Sequence, residues 1–155
     1  MKIIHLTSTP LAGAPIRLSN ALNKYTELKS RVINFNPYAY GARTFPEDLC
    51  FHQNPALCLD LISEADVIHF HHPYMDFFTE SGGYNLDKIK STSAKCIYHY
   101  HSSPVNLKKV ADTVKPSLVV AHCAERYFPH ARLMPNVVDT DFLEQNVSLD
   151  CNTVK

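Results

Sequence analysis

Apolar positions in this chain come mostly in short continuous runs. Lys2–Leu6 (KIIHL), Arg31–Phe35 (RVINF), Asp66–His71, Lys95–His101, Ser117–Ala121 and an extended segment at Arg132–Val138 each read as a strand. None alternates cleanly between apolar and polar as a strand with one wet face does, so the pattern predicts a sheet covered on both sides. Between these runs the period changes. Ile16, Leu18, Ala21, Leu22, Tyr25 and Leu28 recur at helical spacing. After Pro55, whose ring suits a first turn, Leu57, Leu59, Leu61, Ile62 and Ala65 do the same. Shorter helices are expected near Asn85–Lys90, Val105–Val114 and Cys123–Tyr127. Strands alternating with helices of this length predict a single Rossmann-like α/β domain, three layers α/β/α around a mostly parallel sheet. The domain is expected over residues 1–140, with 141–155 a tail or the start of an interdomain linker.

In such sheets ligands bind outside the carboxyl ends of the strands. That draws attention to DVIHFHHPY (66–74) and CIYHYHSSP (96–104), two apolar strands that end in imidazoles. Period-two geometry puts His69 and His71 on one face of their strand, and His99 and His101 on one face of theirs. His69 and His99 lie deeper and read as core histidines satisfied by hydrogen bonds to neighbouring loops. His71, His72 and His101 fall at or just past the strand ends, within reach of a cleft. His101 precedes Ser102-Ser103-Pro104, where a loop tightens before a helix, and an imidazole there can exchange a proton or a hydrogen bond with a hydroxyl near neutral pH.

Histidines gathered at one rim could also hold a metal, as HxH pairs do in hydrolases. No carboxylate stands at ligand spacing, however: Asp66 begins its strand and Asp76 lies in the following loop. The expectation is therefore that no metal is bound. Around Ala12, Gly13 and Ala14 the small side chains would let a sugar or phosphate approach the backbone, or would simply serve a tight turn; GxGxxG is absent. Glu125 and Arg126 are either an acid and an anion-binding base facing the cleft or a solvated first turn.

Composition narrows the partners. With 155 residues the chain is sized for one domain, and 15 basic against 15 acidic side chains without a local cluster give no electrostatic footprint for nucleic acid. Five cysteines, Cys50, Cys58, Cys96, Cys123 and Cys151, include no CxxC pair and suit reduced thiols in a cytoplasmic protein. No window approaches the roughly 18 apolar residues of a membrane span, so any membrane contact is expected to be peripheral, at the inner face.

Taken in order, Ala12-Gly13-Ala14, DVIHFHH (66–72), HYHSSP (99–104), AERYFP (124–129) and MPNVVDTDF (134–142) resemble the N-terminal half of family-4 glycosyltransferases of the GT-B fold. The resemblance implies the acceptor-binding half of a retaining, metal-independent transferase that moves a hexose from a nucleotide-sugar to a glycan or lipid-linked acceptor. The nucleotide-sugar is a co-substrate, and no cofactor is implied. His101 would lie near the transferred sugar, Gly13 and the His71 region would line the acceptor cleft, and Asn136 and Asp139 would mark the crossing towards a second domain. Val137 stands where the family prefers glycine, and the donor-binding domain with its paired glutamates is not in these 155 residues. Alone, the chain is expected to catalyse little and to need a donor-domain partner. Two rival expectations are a non-catalytic module binding a carbohydrate, a protein or a second copy of itself, and a small metallohydrolase using the histidine rim.

Overall fold

The structure, a computed structural model, describes residues 1–8, 13–35, 48–71, 92–101, 118–119, 128–138 and 140. Among them are the strands β1 (Lys2–Thr7), β2 (Lys29–Asn34), β3 (Leu49–Cys50), β4 (Val67–Phe70), β5 (Lys95–Tyr100), β6 (Leu118–Val119) and β7 (Arg132–Leu133), with helices α1 (Ala14–Tyr25) and α2 (Pro55–Ser63). The helices expected near 85–90, 105–114 and 123–127 and the tail at 141–155 lie outside the described residues.

All strand pairs are parallel, and the sheet order is β3-β2-β1-β4-β5-β6-β7. The chain begins in the middle, winds outward through β2 to β3, then returns to the other side of β1 as β4. This is the order of a Rossmann-like doubly wound sheet, and the reversal between β1 and β4 opens a crevice at their carboxyl ends.

The two faces of the sheet differ in chemistry. One presents Ile4 and Leu6 from β1, Ile33 from β2 with Phe35 just beyond it, and Ile68 and Phe70 from β4. Against it pack Cys58 and Ile62 of α2, with Cys96 and Tyr98 of β5 closing the cluster. Phe70 stacks on Tyr98 at 4.9 Å and Phe35 on Phe51 at 4.8 Å, so neighbouring strands are tied by aromatic contacts as well as by their ladder. The opposite face carries the alternate residues of β1, β4 and β5, and α1 lies on that side, burying Ala14, Pro15, Ile16 and Ser19.

Local sequence explains the joints. Gly13 caps α1 with φ 67°, the left-handed region that only glycine enters without a Cβ clash, and its carbonyl accepts the Arg17 amide at 2.9 Å. At the other end of α1, the Asn23 side-chain amide both donates to the Ser30 carbonyl and accepts from the Ser30 amide, each at 2.8 Å, which anchors the helix to the start of β2.

The short strand β3, which the apolar pattern does not announce, is held by Asp48. Its carboxylate takes a forked pair of hydrogen bonds from Arg31 and a third from the Val32 amide at 2.8 Å. Among the described residues no helix is long and apolar enough to cross a membrane. Cys50, Cys58 and Cys96 are free thiols, and burial pushes Cys58 up to about 11, well away from a reactive thiolate.

Candidate functional site

The face opposite the apolar core gathers imidazoles. In the parallel register His5 of β1 stands directly beside His69 of β4, while His99 of β5 and His71 and His101 just past their strands continue the same face towards the carboxyl ends. Ring centroids run 5.0 Å from His5 to His69, 4.2 Å from His69 to His71, 5.0 Å from His71 to His101 and 4.0 Å from His101 to His99. His69 and His99 are stacked, 5.3 Å apart with their planes 10° from parallel. His5, His69, His71 and His99 are buried, and His101 is half-buried.

Three of these rings form a hydrogen-bonded chain. His5 Nδ1 lies 2.9 Å from His71 Nε2, and His71 Nδ1 lies 2.9 Å from His101 Nε2. A neutral imidazole has one N–H, so His71 donates to one neighbour and accepts from the other, and the chain has a direction. Running outward, from His5 through His71 to His101, it leaves a lone pair at the buried His5 Nε2, which has no partner among the described residues. Running inward it would strand an N–H there, the less tolerable of the two, so the ion-free chain runs outward.

Burial keeps this face neutral. It pushes His5 down to about 4, with the His99 charge adding to the effect, and His69 down to about 2, with the charges of its histidine neighbours following. His71 is held well below the usual histidine range for the same reasons. His99 is pushed down to about 4 by burial, which the nearby Met134 backbone partly offsets. Removing a charged imidazole from water is costly, and a second positive charge a few ångströms away makes it costlier.

A small pocket opens onto the outer end of the chain. Ala14 and Leu18 of α1, His71, His99, His101 and the segment Met134–Val137 line it. The wall formed by 134–137 is tied to α1 by Arg17, whose Nη1 donates to the Val137 carbonyl at 3.3 Å. Residues from the strand-end histidine motif and from MPNVV therefore meet at the carboxyl ends of the strands.

Of the candidate residues, Ala14, His71, His101 and Asn136 share this pocket. Gly13 adjoins it at the mouth of α1, and its φ accounts for glycine there without a ligand. Ala12, His72, Ser102, Ser103, Glu125, Arg126 and Asp139 lie outside the described residues. His71 differs from a lip residue: it is 2% exposed and forms the middle of the imidazole chain. His69 and His99 are buried as core residues are; among the described residues His69 Nε2 has no hydrogen-bond partner, and the nitrogens of His99 make no hydrogen bond of full geometry, although the Met134 backbone approaches that ring.

The expectation of no metal is corrected by the same geometry. His5, His69 and His71 form one set, and His71, His99 and His101 a second, in which one nitrogen from each ring lies within 4.8 Å of the others. Three imidazoles are a sufficient protein donor set for zinc-class ions without any carboxylate. The expectation rests on the lack of a carboxylate at ligand spacing, which three imidazoles make unnecessary; the inner set also draws on His5, which lies beside β4 in space and 64 residues before His69 in the chain.

No family model, no curated protein and no solved structure matches this chain.

Proposed function

We propose that this chain is the acceptor-binding unit of a retaining glycosyltransferase, moving a hexose from a nucleotide-sugar to a glycan or lipid-linked acceptor. One observation supports it above the others: the pocket at the strand ends joins His101 to Asn136, two residues that the resemblance assigns to the neighbourhood of the transferred sugar and to the crossing towards a second domain. His101 is half-buried, wet enough to meet a hydroxyl and held by His71 behind it. In the outward chain His101 Nε2 accepts from His71, so its proton sits on Nδ1.

A Rossmann-like unit of this kind grips one substrate, and the rate advantage of holding two reactants in register needs a second unit for the nucleotide-sugar. The partner is therefore a donor-binding unit, and the setting is the cytoplasm, where nucleotide-sugars are available.

Saturation-transfer NMR with a panel of oligosaccharides and lipid-linked sugars tests the reading. His101→Ala and the exposed Asn136→Ala should each weaken acceptor binding by about tenfold or more, the worth of one lost hydrogen bond. If no sugar acceptor binds, or if binding ignores both substitutions, the proposal fails. The histidine sets favour a second reading, a metal-dependent hydrolase; hydrolysis of ester or phosphoester substrates that stops on chelation would select it instead.

A further inference from the structure

We propose that His71, His99 and His101 bind a divalent zinc-class ion whose fourth coordination position opens into the pocket at the strand ends. This stands apart from the sugar-transferase reading and rests on different observations.

The first is donor placement. His71 Nδ1 and His101 Nε2 are 2.9 Å apart. Two nitrogens at about 2.0–2.1 Å from a tetrahedral ion stand about 3.3 Å apart, so a small outward rotation of the half-buried His101 converts the shared proton position into a metal position. His99 completes the set from the neighbouring strand position.

The second is the state of His99. It is 2% exposed and borders the pocket, and among the described residues neither nitrogen makes a hydrogen bond of full geometry, the Met134 backbone being the group that approaches the ring. A neutral imidazole has one donor and one acceptor, so a weak approach by one backbone group still leaves a nitrogen open to another partner. A bound ion engages one nitrogen directly.

The third is support behind the ligands. A metal-bound imidazole usually donates its remaining N–H to an outer partner, and His71 has one: His5 Nδ1, 2.9 Å from His71 Nε2. The buried rings are already neutral at physiological pH, so no proton need leave before they coordinate.

The second histidine set competes for the same central residue, since His71 belongs to both. Among the described residues the outer one borders a pocket. His71, His99 and His101 all line the pocket, whereas His5 and His69 do not. Three protein ligands with an open position is also the arrangement of zinc sites that bind water or substrate, rather than of closed structural sites. With three neutral ligands and no acidic residue among the donor sets, the bound ion keeps its positive charge. The open position then suits an anion such as hydroxide, a carboxylate or a phosphate.

Zinc also leaves a mark on the imidazole chain. In the ion-free chain His71 carries its proton on Nδ1. Once Nδ1 is a ligand, the proton moves to Nε2, and His5 moves its own from Nδ1 to the buried Nε2, so the coordination bonds must outweigh the N–H left unmet there. An ion in the inner set would instead use His71 Nε2 and leave its proton on Nδ1.

The test uses the whole chain purified without an affinity tag, stripped with chelator and titrated with zinc against a chromogenic competitor. About one equivalent should bind, and the imidazole 15N shifts of His71 should report the change to the Nε2–H tautomer. His101→Gln, at the half-buried position where folding is least at risk, should weaken binding by more than about 100-fold, and His99→Gln likewise. His5→Gln should weaken it by about 10–100-fold as loss of an outer partner. His69→Gln, judged on protein with native circular dichroism, should leave binding unchanged. No zinc binding by the intact chain would overturn the proposal. So would binding that survives His101→Gln, or binding lost in His69→Gln with the His71 proton still on Nδ1.

Discussion

The two faces of this sheet are built from the same strands, one residue out of phase, and they solve burial differently. On the α2 side, Ile4, Leu6, Ile33, Ile68 and Phe70 leave water as hydrocarbon and need nothing from one another but shape. On the α1 side, His5, His69, His71 and His99 are buried as deeply, but every ring brings a donor and an acceptor with it. Among the described residues that demand is met in part, through two imidazole contacts of 2.9 Å, while His99 has the approach of the Met134 backbone but no hydrogen bond of full geometry. The first face contributes stability and the second surrenders some. Such an uneven arrangement, with buried polar groups incompletely paired, is common at functional sites.

Acid should separate the faces most sharply. In the unfolded chain each histidine takes up a proton near pH 6.5, whereas the folded protein keeps His5 and His99 neutral down to about 4 and His69 to about 2. The unfolded state therefore binds more protons throughout that interval. Stability is full above pH 6.5 and is lost as pH falls, by up to about 1.4 kcal/mol per pH unit for each ring. His71, held well below the ordinary histidine range, adds to the loss in the same direction. Urea midpoints measured in chelator between pH 7 and 4.5 should fall steeply, and a flat profile would contradict the burial of these rings as neutral species.

Cutting into the apolar face comes next. Phe70→Ala removes a ring that is 1% exposed and stacked on Tyr98, and should cost about 3–5 kcal/mol in equilibrium unfolding. The opposite result is expected one face over. His99→Leu replaces an imidazole that has no hydrogen bond of full geometry with hydrocarbon of similar bulk, and in metal-free protein it should be neutral or stabilising by about 1–3 kcal/mol. If both substitutions destabilise equally, the distinction between the faces is wrong. The smallest effect belongs to the turn that brings α1 over the histidines. Gly13→Ala should cost about 1–2 kcal/mol in thermal unfolding, because alanine must adopt a left-handed φ of 67°. No loss would mean that the turn can be rebuilt.

Much of this contrast is legible in the sequence, because period two is a local property. The pairings His69 with His71 and His99 with His101 follow from counting, as do the main strands and both described helices, to within a few residues. What cannot be counted is which strands become neighbours. His5 looks like a lone imidazole in KIIHL until the return of the chain sets β4 beside β1 and places it against His69. The mistaken expectation about metal has a different source: the histidines of both strand ends are visible in the sequence, but the expectation treats a carboxylate as a necessary ligand, and only the folded sheet shows three imidazole nitrogens within 4.8 Å of one another. β3 escaped notice for another reason. Two residues carry no periodicity, and a single carboxylate, Asp48, holds them in place through Arg31 and the Val32 amide.

The parallel register has a consequence for how the chain finds its fold. A sheet with hydrocarbon on both sides tolerates a strand shifted by one position, since one greasy residue substitutes for another. Here a one-residue slip of β4 would drive His69 and His71 into the packing of α2 and turn Ile68 and Phe70 towards the other imidazoles. Each histidine thus acts as a parity mark on its strand, penalising misalignments that an all-aliphatic sequence would leave nearly degenerate with the native pairing.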